Sequence, residues 1–443
     1  MRNRNEIIIY FGFGAWLLIE SLYGLLQIIG CISSNHPLFI LTGHFNNPGP
    51  FGGFIAVLVS VSIAFVFLFK NQVGAPRWIF HFSTVAIFFG FLLLPASRSR
   101  SGWLGLGVSL LSLVSKRPVV KKWLTTSYAK TVIILLSIIC INLPILLLKK
   151  ESVLGRIHLW HMEILSINKH PWSGVKEGFY HAYGETQANY FASAERAKWE
   201  IKVAGSPEFA FNEYLKVGME FGVSALLLFT LVVFSVCYIL VRYRSPLGYG
   251  AITMSIFAVF SYPLSILQFQ ICGAVFFSAA IMYLLPQKRK LIIIPIVILF
   301  LLRLTNNPKS IKHDYEELYE KGYELYQMND YKEAILYLEE GATKSCDPMF
   351  HNIIGQCYEH IGLYEIAEKK YQYAHYLVPG RIYPLVLLQE LYISRRDTLN
   401  VIKTFEEIRD TEVNSSNTNM VRLYERAMNN MIKHMPEYKL GNH

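Results

Sequence analysis

The chain has few charged residues for its length. Of its 443 residues, 17% are charged and 53% are hydrophobic, whereas a soluble globular domain carries about 25% charged residues. This shortage argues against a wholly soluble protein and predicts a membrane protein. The shortage of charged residues is confined to the part of the chain before about Leu304. From Asn306 onward the sequence is rich in Glu, Lys and Tyr, and no apolar run is long enough to span a bilayer.

Several chemical motifs are missing as well. The six cysteines form no CxxC pair and no His/Cys cluster with zinc spacing, and there is no nucleophile elbow or phosphate-binding Gly loop followed by Lys. We therefore predict neither a metal nor a cofactor. Cys346 and Cys357 suit either a disulfide in an extracytoplasmic tail or two buried thiols. Because no small-residue cleavage site follows the first apolar run, we expect that run to stay as an anchor.

Apolar runs that approach the ~20 residues needed to cross a bilayer recur through the first two thirds of the chain. They predict nine spans, or eight if one of the short runs fails. The candidates are Ile7–Gly30, Phe51–Phe69, Trp78–Leu94, Trp103–Val114, Thr131–Leu148, Phe221–Val241, Ala251–Leu267, Ile271–Leu285 and Leu291–Leu304.

The basic residues predict the orientation of these spans. Lys and Arg cluster at the N-terminus and in every even-to-odd connection, whereas the odd-to-even connection Cys31–Pro50 has neither. Since basic loops stay cytoplasmic, we expect a cytoplasmic N-terminus and a periplasmic loop (149–208) and tail. The net charge of +10 then reflects topology, and no nucleic-acid partner is predicted. We expect a bacterial inner-membrane protein with domains 1–305 and 306–443.

The tail predicts repeated helix pairs. Gly322 and Gly355 are 33 residues apart, as are Ala334 and Ala367, close to the ~34-residue period of TPR repeats. A third, looser unit is expected near Tyr383. The Tyr and Leu residues at these spacings suit helix packing, or a docking surface for a protein partner.

Three charged residues occupy unusual positions. Glu20 lies inside the first span, and Arg98 and Arg100 lie at a predicted outer membrane edge. Such residues are often functional because a charge at mid-bilayer costs about 2.5–3.5 kcal/mol on insertion scales. For Glu20 and Arg98 we favour structural roles, a helix contact and a headgroup contact. Arg100 suits either a structural or a functional role.

Five ordered motifs resemble the O-antigen ligase superfamily, which groups O-antigen ligases, O-antigen polymerases and bacterial protein O-oligosaccharyltransferases. The resemblance covers about Gly43 to Val241, and the tail is similar to that of a subgroup with C-terminal TPR repeats. The motifs are Gly43-x-Phe45-x-Asn47-Pro48, Ser99-Arg100-x-Gly102-Trp103, Gly155-Arg156-x-x-x-Trp160, His170-Pro171-x-x-Gly174, and Asn212-Glu213-x-Leu215 with Glu220 and Gly222.

The resemblance implies an all-α membrane bundle that performs metal-independent transfer from an undecaprenyl-diphosphate-linked glycan. It places Arg100 and Arg156 near the donor diphosphate, which guanidinium groups bind bidentately. The family's pattern has a histidine where this chain has Phe211. We expect Glu213 to replace it as general base, with His158 as the next choice and Glu185 and His161 as further candidates.

The remaining predicted substrate-binding residues are His158, Gln187, Tyr190 and Asn212. The acceptor is left open between lipid A-core, as in lipopolysaccharide biosynthesis, another glycan as for a polymerase, and a protein recruited by the tail. A non-enzymatic, membrane-anchored scaffold that presents the tail is the alternative of a different class. A transporter is disfavoured because the spans contain few charged residues.

Overall fold

The computed structural model describes residues 4–70, 76–115, 150–175, 178–285, 309–411 and 417–438. Within these ranges the protein is helical, with 18 α-helices, one short 3-10 helix and no strand. The predicted all-α class is therefore confirmed. The chain divides into two compact units. We name Met1–Lys149, Phe211–Val217 and Ser224–Asn307 the membrane unit, and Lys150–Ala210, Gly218–Val223 and Pro308–His443 the repeat unit.

The helices are numbered along the chain. The first eleven are α1 (Arg4–Ile28), α2 (Pro48–Phe69), α3 (Arg77–Ser97), α4 (Arg100–Val114), α5 (Lys150–Lys169), α6 (Phe179–Ser193), α7 (Lys198–Val203), α8 (Glu213–Phe221), α9 (Val223–Arg242), α10 (Leu247–Val259) and α11 (Leu267–Leu284). The tail contains α12 (Lys309–Gln327), α13 (Tyr331–Lys344), α14 (Pro348–Ile361), α15 (Tyr364–Leu377), α16 (Tyr383–Ser394), α17 (Thr398–Asp410) and α18 (Thr418–His434).

Five helices of the described ranges are long and apolar enough to cross a membrane. They are Glu6–Ile28, Pro48–Phe69, Arg77–Ser97, Val223–Arg242 and Leu267–Leu284, and the shorter α4 and α10 are also apolar. Seven of the nine predicted spans thus overlap with apolar helices, which supports a multi-pass membrane protein. The predicted spans Thr131–Leu148 and Leu291–Leu304 lie outside the described residues.

One predicted span has the wrong boundaries. Ala251–Leu267 is not a single helix, because α10 begins at Leu247 and ends at Val259, and a 3-10 turn at Pro263–Ser265 precedes α11. Tyr262 has φ −123° and ψ 53°, as expected for a residue held out of the α region by the proline that follows it. A hydropathy run continues through such a break and therefore does not reveal it.

Helix α2 forms the centre of the membrane unit, packed against α1, α3, α4 and α10. Its side chains Phe51, Phe54 and Phe65 are completely buried. At the start of α2, Gly52 and Gly53 have no side chain, so other helices can approach closely. A Cβ atom on Gly102 of α4 would lie 3.0 Å from the Gly52 carbonyl oxygen and 3.1 Å from Gly53 Cα. The beginnings of α2 and α4 are therefore in contact.

The tail consists of three helix pairs, α12/α13, α14/α15 and α16/α17, followed by α18. Each pair turns on a residue in the left-handed region: Asn329 (φ 63°), Gly362 (φ 87°) and Arg396 (φ 57°). Gly322 packs against Leu338 and, one repeat later, Gly355 packs against Tyr371. The equivalent glycines thus have equivalent neighbours, as the 33-residue spacing predicts.

Candidate functional site

In the membrane unit, the start of α2 meets the α3–α4 junction. Asn47 caps α2 by accepting a hydrogen bond from Gly49 N (2.9 Å). The Ser99 hydroxyl donates to the Gly49 carbonyl oxygen (2.9 Å). Two motifs that lie about 50 residues apart in the sequence, around Asn47 and Ser99, are thus joined at one end of the bundle.

Arg98 and Arg100 flank this contact in different ways. Arg98 is exposed and ends α3 in the left-handed region (φ 51°), whereas Arg100 is half-buried and is the first residue of α4. The beginning of α4 presents backbone N–H groups and the positive end of a helix dipole. The beginning of α2 adds a helix dipole but no such donors, because Pro48 and Pro50 have no N–H and the Gly49 N–H is bonded to Asn47. Together with the Arg100 guanidinium, they form a local environment that favours an anion.

The start of α8 also belongs to the membrane unit. Asn212 Oδ1 accepts hydrogen bonds from Tyr214 N (3.0 Å) and Leu215 N (3.1 Å), and so caps α8. Glu213 is buried, and its Oε1 accepts from Leu264 N (2.7 Å) in the turn between α10 and α11. Phe211, at the family's histidine position, has φ 53° and packs edge-on against Tyr262 with ring centroids 5.2 Å apart.

In the repeat unit, His158 of α5 and Gln187 of α6 form a buried polar contact. His158 Nε2 and Gln187 Oε1 are 2.9 Å apart, and the Tyr183 hydroxyl donates to the same oxygen. Gln187 Nε2 donates to the carbonyl oxygens of Gly205 (3.0 Å) and Leu377. Burial lowers the pKa of His158, which favours the neutral imidazole at pH 7. Gln187 therefore ties α5, α6 and the tail together.

Tyr190 is the more accessible of the predicted substrate-binding side chains in this unit. It borders a groove of about 350 Å³ between α5 and α6, together with Asn168, Lys169 and Asn189. Its hydroxyl donates to Glu200 Oε1 (2.7 Å), and the Arg196 guanidinium lies 3.7 Å above its ring. These contacts hold the aromatic ring in place at the edge of the groove.

The second predicted diphosphate-binding arginine, Arg156, is half-buried on α5.

Two motif glycines explain the path of the chain before α9. Val175 N donates to the Met219 carbonyl oxygen (2.9 Å) and Val223 N donates to the Pro171 carbonyl oxygen (2.7 Å). Both glycines at this contact have positive φ, 63° for Gly174 and 86° for Gly222. A Cβ on either would meet the opposite backbone. The His170-Pro171-x-x-Gly174 motif is therefore a packing element against the end of α8.

The predicted site residues are divided between the units. Arg100, Asn212 and Glu213 belong to the membrane unit, and Arg156, His158, Gln187 and Tyr190 belong to the repeat unit. Among the described residues, no three His, Cys, Asp or Glu side chains are grouped as metal ligands. Cys346 and Cys357 are buried, unpaired thiols, so the disulfide alternative is not realised. Burial raises the pKa of each to about 12.

A stretch of the chain matches the model of a known protein family. The model described as O-antigen ligase matches residues 85–230, a stretch that contains Arg100, Arg156, Asn212 and Glu213. The resemblance to the O-antigen ligase superfamily is thus confirmed over a third of the chain. No curated protein and no solved structure matches. The match supports a membrane enzyme that transfers glycans, as a ligase or a polymerase.

Proposed function

We propose, from the family match over residues 85–230, that this protein transfers a glycan from an undecaprenyl-diphosphate carrier to an acceptor on the periplasmic side of the inner membrane. The observation that supports this most directly is the position of Arg100. It begins an apolar helix, and that helix start packs on the start of α2. A permanently charged guanidinium at the N-terminus of α4 suits a diphosphate in a low-dielectric setting.

In this proposal the two arginines act on the same part of the donor. Arg100 and Arg156 bind the diphosphate and stabilise the negative charge that grows on it as the bond to the sugar breaks. Tyr190 contributes to the sugar or acceptor site. Asn212, Gln187 and His158 are buried and support the helices that carry the site residues, and Glu213 is the sequence-predicted general base. No metal takes part.

Arginine variants of the full-length protein in proteoliposomes test the proposal. A synthetic undecaprenyl-diphosphate disaccharide is the donor, and lipid A-core, a glycan and a polypeptide are offered in turn as acceptors. We expect Arg100→Ala and Arg156→Ala each to lower transfer about 100-fold, the size of effect seen when one electrostatic stabiliser is removed. Arg98→Asn, which tolerates the left-handed backbone, is the matched control and should stay within twofold. Full transfer by both alanine variants would refute the proposal.

A protein acceptor is a second candidate because of the tyrosines on α12. Tyr319 stacks on Tyr323, which stacks on Tyr326, with centroid distances of 6.1 Å for both pairs. Tyr323 is 41% exposed. Tyrosine supplies large contact area at low entropic cost. Tyr323→Ser should then reduce transfer to the polypeptide and spare transfer to lipid A-core. If Tyr323→Ser changes the rate of transfer to the polypeptide and to lipid A-core by the same factor, this candidate is wrong.

A deletion of the tail is a poorer test of the protein acceptor than this point substitution. Gln187 donates to the tail, and Gly184 packs against Leu377 and Cys346. Removing the tail would expose the buried face of α6, so activity with every acceptor would suffer. The non-enzymatic scaffold predicts that undecaprenyl diphosphate does not stabilise the protein against heat.

A further inference from the structure

A polar pair in the membrane unit lies at the end of the bundle where α2 begins. His44 Nδ1 is 3.0 Å from Glu20 Oε2. Glu20, on α1, has only 5% of its side chain exposed, whereas His44, just before α2, has 44% exposed. The His44 ring also stacks on Tyr23, with centroids 3.8 Å apart at an angle of 25°. A buried carboxylate thus holds the Nδ1 edge of a solvent-accessible imidazole, and Tyr23 covers one of its faces.

The backbone around His44 is fixed as firmly as its ring. Gln27 Oε1 accepts from Thr42 N (3.0 Å) and Gly43 N (2.8 Å), and Gln27 Nε2 donates to the Gly43 carbonyl oxygen (3.2 Å). Gly43 has φ 57° and packs closely on Phe51. The loop before α2 is therefore held against α1 with a defined orientation of His44.

This pair lies at the same end of the bundle as Arg100. Gly49, whose carbonyl accepts the hydrogen bond from Ser99, is five positions after His44. An extended chain of that length spans at most about 18 Å, and Arg100 follows Ser99 directly. The side chains of His44 and Arg100 can therefore both reach a substrate that carries a diphosphate next to a sugar.

We propose that His44 is the general base of the transfer and that Glu20 is its positioning residue. The inference rests on the proposed function. The acceptor hydroxyl oxygen attacks C1 of the donor sugar, and the bond between C1 and the diphosphate oxygen breaks. The bonding electron pair leaves with undecaprenyl diphosphate. The hydroxyl proton passes to His44 Nε2 and is later released to water.

The Glu20 carboxylate determines which His44 nitrogen can accept the proton. With Nδ1–H directed at Glu20, Nε2 carries the lone pair that accepts the proton, and the buried negative charge stabilises the imidazolium that forms. Glu213, by comparison, is buried and has one oxygen engaged by Leu264 N. The more exposed His44 is better placed to meet a hydroxyl that arrives from solvent.

Two separate measurements on full-length protein in proteoliposomes test this. The first is the rate of transfer from the synthetic undecaprenyl-diphosphate disaccharide at saturating donor. The second is the affinity for undecaprenyl diphosphate itself, measured as stabilisation against heat. We expect His44→Gln to lower kcat about 100-fold and to leave that affinity within twofold. His36→Gln, in the same loop, is the matched control and should keep the wild-type rate.

The Glu20→Gln variant separates orientation from simple folding. Among the described side chains, Glu20 and Tyr23 are the ionisable groups seen in contact with His44. We expect a kcat about tenfold lower, an affinity for undecaprenyl diphosphate within twofold of the wild type, and a partial recovery of kcat in Glu20→Asp, which keeps the carboxylate. A structural role alone would lower the affinity and the melting temperature together with the rate.

The outcomes distinguish this inference from the proposed function. If Arg100→Ala abolishes transfer while His44→Gln keeps more than half of the rate, the inference is wrong and the proposed function stands. A 100-fold loss for Glu213→Gln beside an active His44→Gln would assign the base to Glu213. If Arg100→Ala and Arg156→Ala are also fully active, the proposed function itself is wrong.

Discussion

The side-chain amide of Gln187 donates a hydrogen bond to the backbone carbonyl of Leu377, 190 residues further along the chain. Gln187 is completely buried, so its amide would be costly to leave unpaired. This bond fixes α6, from the segment predicted to form the periplasmic loop, to the helix that ends the second repeat. The tail and that segment are one packed body.

A designed disulfide tests this packing and the compartment together. A Cβ on Gly184 of α6 would lie 3.3 Å from Cys346 Cβ, close to the ~3.5–4.5 Å of disulfides. We expect Gly184→Cys to cross-link to Cys346 in cells, because the proposed periplasmic location is oxidising. Mass spectrometry of the joined peptides is the measurement. Gly155→Cys, whose Cβ has open space, should form no such link.

A cross-link that forms only after purification and added oxidant would support the packing and contradict the periplasmic location. No cross-link under either condition would contradict the packing of α6 on the tail.

Gly174 and Gly222 should tolerate no side chain. A Cβ on Gly174 would lie 2.5 Å from Phe221 N, and one on Gly222 would lie 2.5 Å from the Trp172 carbonyl oxygen. Because both residues also have positive φ, we expect each alanine variant to lose about 2 kcal/mol or more of stability. Thermal unfolding of the detergent-solubilised protein measures this. Gly155→Ala, in an open helical position, should be neutral or slightly stabilising.

Gly102 should matter for transfer more than for folding. An alanine there would press on the Gly52 carbonyl oxygen and Gly53 Cα and push the start of α4, with Arg100, away from α2. Small displacements of a binding group are costly to catalysis, so we expect transfer to fall about tenfold or more. Gly107→Ala, on the same helix with no neighbour within 4 Å, is the control. Equal transfer by the two variants would contradict the importance of this contact.

Two half-buried histidines of the tail, whose Nδ1 atoms are buried, predict how its stability depends on pH. Burial lowers the pKa of His351 to about 3 and that of His375 to about 4, against about 6.5 when unfolded. The unfolded chain therefore binds more protons as pH falls, so stability is complete above about pH 6.5 and is lost progressively below it. At pH 5 we expect a loss of about 1–2 kcal/mol per histidine.

The melting temperature of the full-length protein between pH 7.5 and pH 5 measures this loss. The double variant His351→Gln, His375→Gln should show a smaller drop over that range. A drop as large as in the wild type would mean that other groups titrate in its place.

The sequence predicts the first two repeats because their signal is local. Gly322 and Gly355 face large side chains across one helix pair, so the small residues themselves mark the period. The third helix pair, α16/α17, does not follow this glycine pattern. Gln389 stands where Gly355 stands in the second repeat, and it is buried with its amide donating to the Ala427 carbonyl oxygen (3.2 Å). Its turn uses Arg396, a residue that gives no turn signal.

The site is predicted less completely because it depends on contacts between distant residues. The motifs around Asn47 and Arg100 are visible in the sequence, but their meeting depends on the hydrogen bond from Ser99 to Gly49. The partnership of Glu20 with His44 has no periodic or compositional signature at all. Hydropathy reveals that Glu20 is out of place, and only the fold shows which side chain it faces.

The central claim is that Arg100 and Arg156 serve one polyprenyl diphosphate. The most direct measurement is the stabilisation of the full-length protein by undecaprenyl diphosphate, compared among wild type, Arg100→Ala, Arg156→Ala and the double variant. We predict strong stabilisation of the wild type, a reduced effect for each single variant, and a double variant that loses no more than the worse single one, because both arginines hold the same group. Wild-type stabilisation in all variants, or fully additive losses, would contradict the account.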